Sequence, residues 1–213
     1  MLKEKRNREP EMNPKDYFDN AADTWDTMFH TPRLCSFLEK IMPQLGLKAG
    51  QKVLDVGTGT GVLIPYLIKA VGPAGSVTAI DFSEKMVKIC KTKHSHIKNV
   101  EIKVGNIEDA AFPAETFDVV ICFGVFPHII RKEKALQNIN SMLKLGGTLV
   151  IAHALSSEEL KAHHKKVSEH VAHAALPEKN EMLHLLGRTG FAEIRIRDEP
   201  GCYLCIARKP SKT

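Results

Sequence analysis

The segment VLDVGTGTG, Val53–Gly61, decides how the rest of the chain is read. A short apolar run leads straight into a turn with glycine at 57, 59 and 61, and a stretch of helical composition follows. Glycine has no Cβ, so the backbone there can turn sharply and a ligand can come within contact distance. A purely structural corner would use the same residues, so the context has to choose. The dinucleotide fingerprint puts its third glycine three positions after the second, and that position holds Val62. Asp55, at the strand end, would repel a pyrophosphate held close in a desolvated crevice. It suits a ligand with a positive amino group.

Outward from this turn, short apolar runs alternate with helix-length stretches: KVLDV, SVTAID, VEIKVGN, FDVVICFG and GGTLVIAHA. Strands separated by helices imply βαβ units and a parallel sheet covered on both faces. FAEIRIRD and GCYLCIARK, joined by a tight turn at Glu199, Pro200 and Gly201, close the chain as a hairpin. The expected fold is α/β, a Rossmann-like doubly wound, mostly parallel seven-stranded sheet with a C-terminal antiparallel hairpin. Before the first strand, apolar residues from Phe18 through Trp25 to Ile41 recur at helical spacing, interrupted by Pro32 and ended near Pro43. Residues 1–16 are charged and carry two prolines, which predicts a mobile arm with order beginning near Tyr17. After the fifth strand, Glu158 to about Ala175 and Pro177 to Leu186 predict two helices.

The chain of 213 residues, 43% apolar, suits one domain. Its parts would be a helical lid (17–45), a ligand-binding core (50–155), acceptor-side helices (156–190) and the hairpin (191–208). No run approaches the roughly 20 apolar residues of a membrane span, and the first residues lack a signal-peptide core, so the expectation is a cytoplasmic protein without membrane insertion. The five cysteines show no disulfide framework. A net charge of +5 is dispersed among acidic residues, and three Tyr and one Trp offer little to stack on bases, which argues against nucleic acid as partner. SVTAID ends in Asp81, about twenty residues past the glycines, where a carboxylate can accept from both hydroxyls of a ribose. Ser83 and Glu84 follow, so Asp81 could equally cap the next helix.

The succession VLDVGTGTG, AIDFSEKMV, VGNIEDAAF, FDVVICFGVFPHI and LKLGGTLVI resembles the class I S-adenosylmethionine-dependent methyltransferase family, in its ubiquinone/menaquinone-methyltransferase-like branch. The resemblance runs from about residue 17 to 208. It implies S-adenosyl-L-methionine as cofactor and methyl transfer to a small-molecule acceptor by in-line displacement. It also implies that Asp55 and the loop Gly57, Thr58, Gly59 and Gly61 hold the methionine part, that Asp81 holds the ribose, and that Phe82 and Met86 line the adenine pocket. Asn106 and Ile107 would meet the adenine edge; family members usually have Asp where this chain has Asn106. Phe123 and Gly124 would face the methionine side, and Gly146 and Gly147 would shape the turn before the fifth strand. The segment Tyr17 to Trp25 resembles the family's lid, although aromatics at helical spacing also serve as core.

Histidine marks the acceptor side. Six of the ten histidines, His153, His163, His164, His170, His173 and His184, fall within about thirty residues. On a helix His163, His170 and His173 would share a face, either as a solvated polar face with the lysines or as a metal or proton-handling site. No acidic or cysteine ligand completes a recognised metal spacing, so no metal is predicted. His128, in FGVFPHI, and His153, at the fifth strand's carboxyl end, are the two catalytic candidates, with helix capping the alternative for His128. The histidine-rich stretch suggests a polar acceptor pocket. Two rivals stand beside this reading: a metal-binding or regulatory protein using the histidine cluster, and an NAD-dependent oxidoreductase on the same fold. Cys202 and Cys205, three apart in a strand, would point to opposite faces and form no metal pair.

Overall fold

The computed structural model describes residues 14–167 and 174–211, the side chains of 165–167 excepted. Seven strands among the described residues, β1 (Lys52–Val56), β2 (Ser76–Asp81), β3 (Val100–Val104), β4 (Phe117–Phe123), β5 (Leu143–His153), β6 (Ala192–Glu199) and β7 (Cys202–Arg208), form one sheet. Its order is β3-β2-β1-β4-β5-β7-β6. The pairs among β1 to β5 are parallel, and β7 runs antiparallel to both β5 and β6. The chain leaves β1 toward β2 and β3, then returns to the other side of β1 as β4. That reversal opens a crevice at the carboxyl ends of β1 and β4, where open α/β sheets bind ligands.

Period-two alternation divides the sheet between two cores. Val53, Val119, Ile121 and Val150 pack toward α3 (Pro32–Ile41) and α4 (Ile64–Val71). Leu54, Val56, Val120 and Leu149 pack toward α6 (Lys132–Met142) and α8 (Lys179–Arg188). Cys202 joins the first core and Cys205 the second, so the two thiols do lie on opposite faces. A helix α5 (Glu84–His94) covers β2 and β3.

Three boundaries differ from expectation. α1 (Pro14–Ala21) takes in residues 14–16 of the expected arm, because proline is accommodated in a first helical turn, and residues 1–13 of that arm lie outside the described residues. A 3-10 turn, Ala22–Thr24, leads into α2 (Trp25–Phe29). Gly146 and Gly147 lie inside β5, at the register shift against Phe117 and Val119, instead of in a turn before it. There Gly146 takes φ +72°, and a Cβ on Gly147 would come within 2.7 Å of the Lys144 carbonyl, so the bulge itself requires glycine. The helix after β5, α7, is described over Ser157–Val167, so His170, His173 and the predicted continuation toward Ala175 lie outside the described residues. The following helix, α8, starts at Lys179 and not at Pro177, because Glu178 takes ψ 153° and stands as the N-cap outside helical backbone.

Candidate active site

At the carboxyl ends of β1, β2, β4 and β5 lies a cavity of about 390 Å³. One end is built from the glycine loop, Asp81, Phe82 and Met86; the other from Phe123, His128, His153, Leu160, His163 and His164. Residues of α1, α2 and the start of α3 roof it over.

The loop is shaped by its glycines in three ways. Gly57, Gly59 and Gly61 all take positive φ, at 68°, 55° and 91°. A Cβ on Gly57 would fall 2.3 Å from Cγ2 of Val125, so the β4 exit packs directly on the loop. One on Gly59 would sit 3.5 Å from the Trp25 indole nitrogen, beneath the roof. One on Gly61 would strike Cys90 and His94 of α5. Gly61 thus serves the close approach of a helix, and only Gly57, Thr58 and Gly59 line the cavity.

Two carboxylates stand at neighbouring strand ends. Asp55 is 1% exposed below the loop, and its Oδ2 has no hydrogen-bond partner among the described residues. Burial, assisted by the charge of Asp81, pushes its pKa up to about 7. Asp81 lines the cavity and accepts from Gly59 N at 2.9 Å and from Ser83 N at 2.9 Å. Burial raises it to about 6, against the pull of those two amides. The cap of α5 is Ser83, whose hydroxyl accepts from Met86 N at 3.1 Å, so the capping alternative for Asp81 is answered by its neighbour. Asp81 keeps lone pairs directed at the cavity.

Asn106 is exposed, with its amide oxygen accepting from Glu108 N at 3.0 Å, and Ile107 is buried in the core shared by α6 and α8. Neither lines the cavity, nor does Asp55.

The roof holds residues that sequence patterns did not single out. Phe18 makes ring contacts with Tyr17, Trp25, Phe82 and His128, at centroid distances of 5.2, 5.6, 5.6 and 5.1 Å. Tyr17 and Trp25 both line the cavity and are half-buried, facing it instead of a closed core. Asp26 accepts from Thr60 of the loop and from Lys93 of α5 at 2.7 Å, while Asp19 accepts from the Ser83 hydroxyl at 2.5 Å. Phe18 on α1 and Trp25 at the start of α2 meet across the 3-10 turn between the two helices, so their contact was not a matter of one helical face. Asp19 and Asp26 each have a helical partner four residues away, Lys15 and His30, but their bonds to Ser83, Thr60 and Lys93 left no signal because those residues lie more than thirty positions away in sequence.

At the other end, His128 closes a 3-10 turn (Phe126–His128) and does not cap α6, which starts at Lys132 after Arg131. His153 is 3% exposed, with Nε2 lacking a partner among the described residues. Burial pushes both rings to about 3 and so keeps them neutral. His163 and His164 also line this end, whereas His184 is exposed on α8. The walls are more apolar than the histidine count suggested: Met28, Phe29, Leu34, Leu155 and Leu160 line the same cavity. Among the described residues no three His, Cys, Asp or Glu side chains are grouped to hold a metal ion, so the metal-binding alternative gains no support. No described helix is long and apolar enough to cross a membrane.

A family model described as a methyltransferase domain matches residues 47–190. A demethylmenaquinone methyltransferase of Staphylococcus aureus is 40% identical over 113 residues, 53% of this chain; the match spans only 46% of that relative. A crystal structure of a SAM-dependent methyltransferase from Aquifex aeolicus superposes with a TM-score of 0.70 at 26% identity, covering 93% of this chain and 100% of that one. The [4+2]-cyclase SpnF, at 18% identity and a TM-score of 0.65 over 83% of this chain and 81% of its own, shares the fold alone. The glycine loop with Val62 in place of a third dinucleotide glycine, the two strand-end carboxylates and these matches agree: the chain belongs to the methyltransferase-domain family, in its class I, S-adenosylmethionine-dependent form.

Proposed function

We propose that this protein transfers the methyl group of S-adenosylmethionine to a small molecule held at the histidine end of the cavity. The observation that carries the reading is the pair Asp55 and Asp81: one buried carboxylate with an unpartnered oxygen beneath the loop, the other facing the cavity with lone pairs to spare. The first places negative charge beneath the loop on which an α-ammonium would lie, and a ribose diol fits the second. The cofactor supplies a methyl already activated on positive sulfur. The protein's share is therefore alignment and exclusion of water, which together can account for roughly 7–11 kcal/mol of a barrier.

Gly57, Thr58 and Gly59 bind the methionine portion, with Gly61 seating the loop on α5. Phe82 and Met86 flank the adenine, whereas Asn106 and Ile107, which do not line the cavity, support the β3 exit from outside its wall. Phe123 faces the reacting sulfur. Tyr17 and Trp25, with Phe18 between them, close over cofactor and acceptor as the lid. His128 and His153, neutral at the acceptor end, hydrogen-bond the acceptor and orient it.

Calorimetric titration with S-adenosylmethionine and S-adenosylhomocysteine, with NAD as control, tests this. Micromolar binding of the first two and none of NAD is expected. Each charge-assisted bond to the ribose is worth about 1.5–3 kcal/mol, so Asp81→Ala is expected to weaken binding by roughly 100-fold or more. No binding of either sulfur ligand would remove the reading.

A further inference from the structure

Four histidines line the acceptor end, and the surroundings of His128, His153 and His164 are not equivalent. His153 presents an unpartnered Nε2, and His128 packs edge-on against Phe18. Both rings are held neutral by burial and bind a proton weakly. His164 differs by one bond: its Nδ1 lies 2.5 Å from the carbonyl oxygen of Ala174. A carbonyl can only accept, so Nδ1 carries the hydrogen. In the neutral ring Nε2 is then a bare lone pair. The ring lines the cavity, with its centroid 5.0 Å from that of His128 and 6.0 Å from that of His163. Burial lowers the proton affinity of His164, whereas the bond to Ala174 raises it.

We propose that His164 Nε2 is the general base that takes the acceptor's proton, which makes the acceptor a protic nucleophile: a hydroxyl, thiol or amine that must lose a hydrogen on methylation. The inference rests on the methyl-transfer reading above. The acceptor atom's lone pair forms the bond to the methyl carbon. The carbon–sulfur bond breaks and leaves its pair on sulfur. The acceptor's proton passes to Nε2, so the positive charge moves from sulfur to an imidazolium, which returns the proton to water after product leaves. The Ala174 carbonyl fixes the tautomer beforehand and strengthens its hydrogen bond once the ring is charged, the part a carboxylate plays for other catalytic histidines. The rings facing His164 are His128 from the Phe126–His128 turn, His163 from its own helix and His153 from β5, with Lys132 acting on His128.

The test has two arms. First, long-range proton–nitrogen spectra of histidine-labelled protein saturated with S-adenosylhomocysteine, taken across pH, are expected to show His164 as the Nδ1–H tautomer and protonating at higher pH than His128 and His153. Second, 4-methylphenol, benzyl mercaptan and benzylamine serve as protic probes and dimethyl sulfide as the aprotic one, each with S-adenosylmethionine. Transfer to at least one protic probe is expected, with turnover reduced about 10²–10⁴-fold in His164→Ala and cofactor affinity unchanged. Imidazole should restore part of the His164→Ala rate. His164→Asn keeps a donor for Ala174 but has no basic nitrogen, and is expected to fold and to be equally slow. An Nε2–H tautomer, a His164→Asn rate within about threefold of wild type, or transfer to no protic probe by protein that binds cofactor overturns the proposal. Failure to bind cofactor at all overturns the methyl-transfer reading instead.

Discussion

Asp55 and Asp81 end adjacent parallel strands, yet their surroundings set them apart. Two amides hold Asp81 and leave it facing the cavity, whereas Asp55 Oδ2 is sealed without a partner. An unfolded Asp55 ionises near 3.8 and the folded one near 7. Between those values the unfolded chain has released a proton that the folded chain keeps, so stability falls as pH rises through the window and stays reduced above it. Asp55→Asn is therefore expected to raise the Tm of the ligand-free protein at pH 8, by up to ~4 kcal/mol in stability, and to change it little at pH 4. The same variant should lose cofactor affinity in calorimetry, because the unpartnered oxygen awaits a cation. A Tm gain independent of pH would mean that the carboxylate is not buried in its charged form. Gly57 gives a second test. Alanine there must adopt φ +68° and meet Val125, so Gly57→Ala should cost about 1–3 kcal/mol by urea denaturation. Adding Val125→Gly, which removes the Cβ that would lie 2.5 Å away as well as both methyls, should recover the steric share, and the double-mutant cycle should return a coupling of about 0.5–3 kcal/mol.

At the scale of elements, the lid is tied down by Asp19 and Asp26 more than by apolar burial. α1 and α2 contain no fully buried residue, while Asp26 bonds both the glycine loop and α5. Elements with few buried apolar contacts open at low cost. Asp26→Ala is expected to raise amide hydrogen exchange across Pro14–Phe29 by roughly tenfold, the equivalent of about 1.4 kcal/mol, and to leave β1, β4 and β5 unchanged. Exchange that rose equally in the strands would place Asp26 in the global fold instead of the lid. The lid's helical spacing and its aromatics were legible in the sequence, but its fastening was not. Ser83, Thr60 and Lys93 become neighbours of Asp19 and Asp26 only after the sheet has brought the β2 exit and α5 beneath the N-terminal helices.

At the scale of the whole molecule, the hairpin supplies no residue to the cavity but covers the edge of the strand that carries His153. β7 pairs with β5 along its length, His153 opposite Tyr203, and contributes Cys205 and Leu204 to opposite cores. A chain stopped after Gly190 would expose the long, apolar edge of β5 and uncover both faces next to it. Its expected behaviour is insolubility on expression, or loss of cooperative unfolding by circular dichroism if it stays in solution. The sequence by itself determined the strand–helix alternation, the glycine turn with its two strand-end carboxylates and the exclusion of a dinucleotide loop at Val62, because these depend on local spacing and on the chemistry of single residue types. Only the tertiary structure decided that Gly61 serves a helix contact, that Gly146 and Gly147 form a bulge within β5, that Phe18 is the centre of the lid's aromatic cluster, and that His164 joins His128 and His153. Each of these depends on which distant segment comes to lie against the residue, and long-range packing leaves no mark in the local pattern.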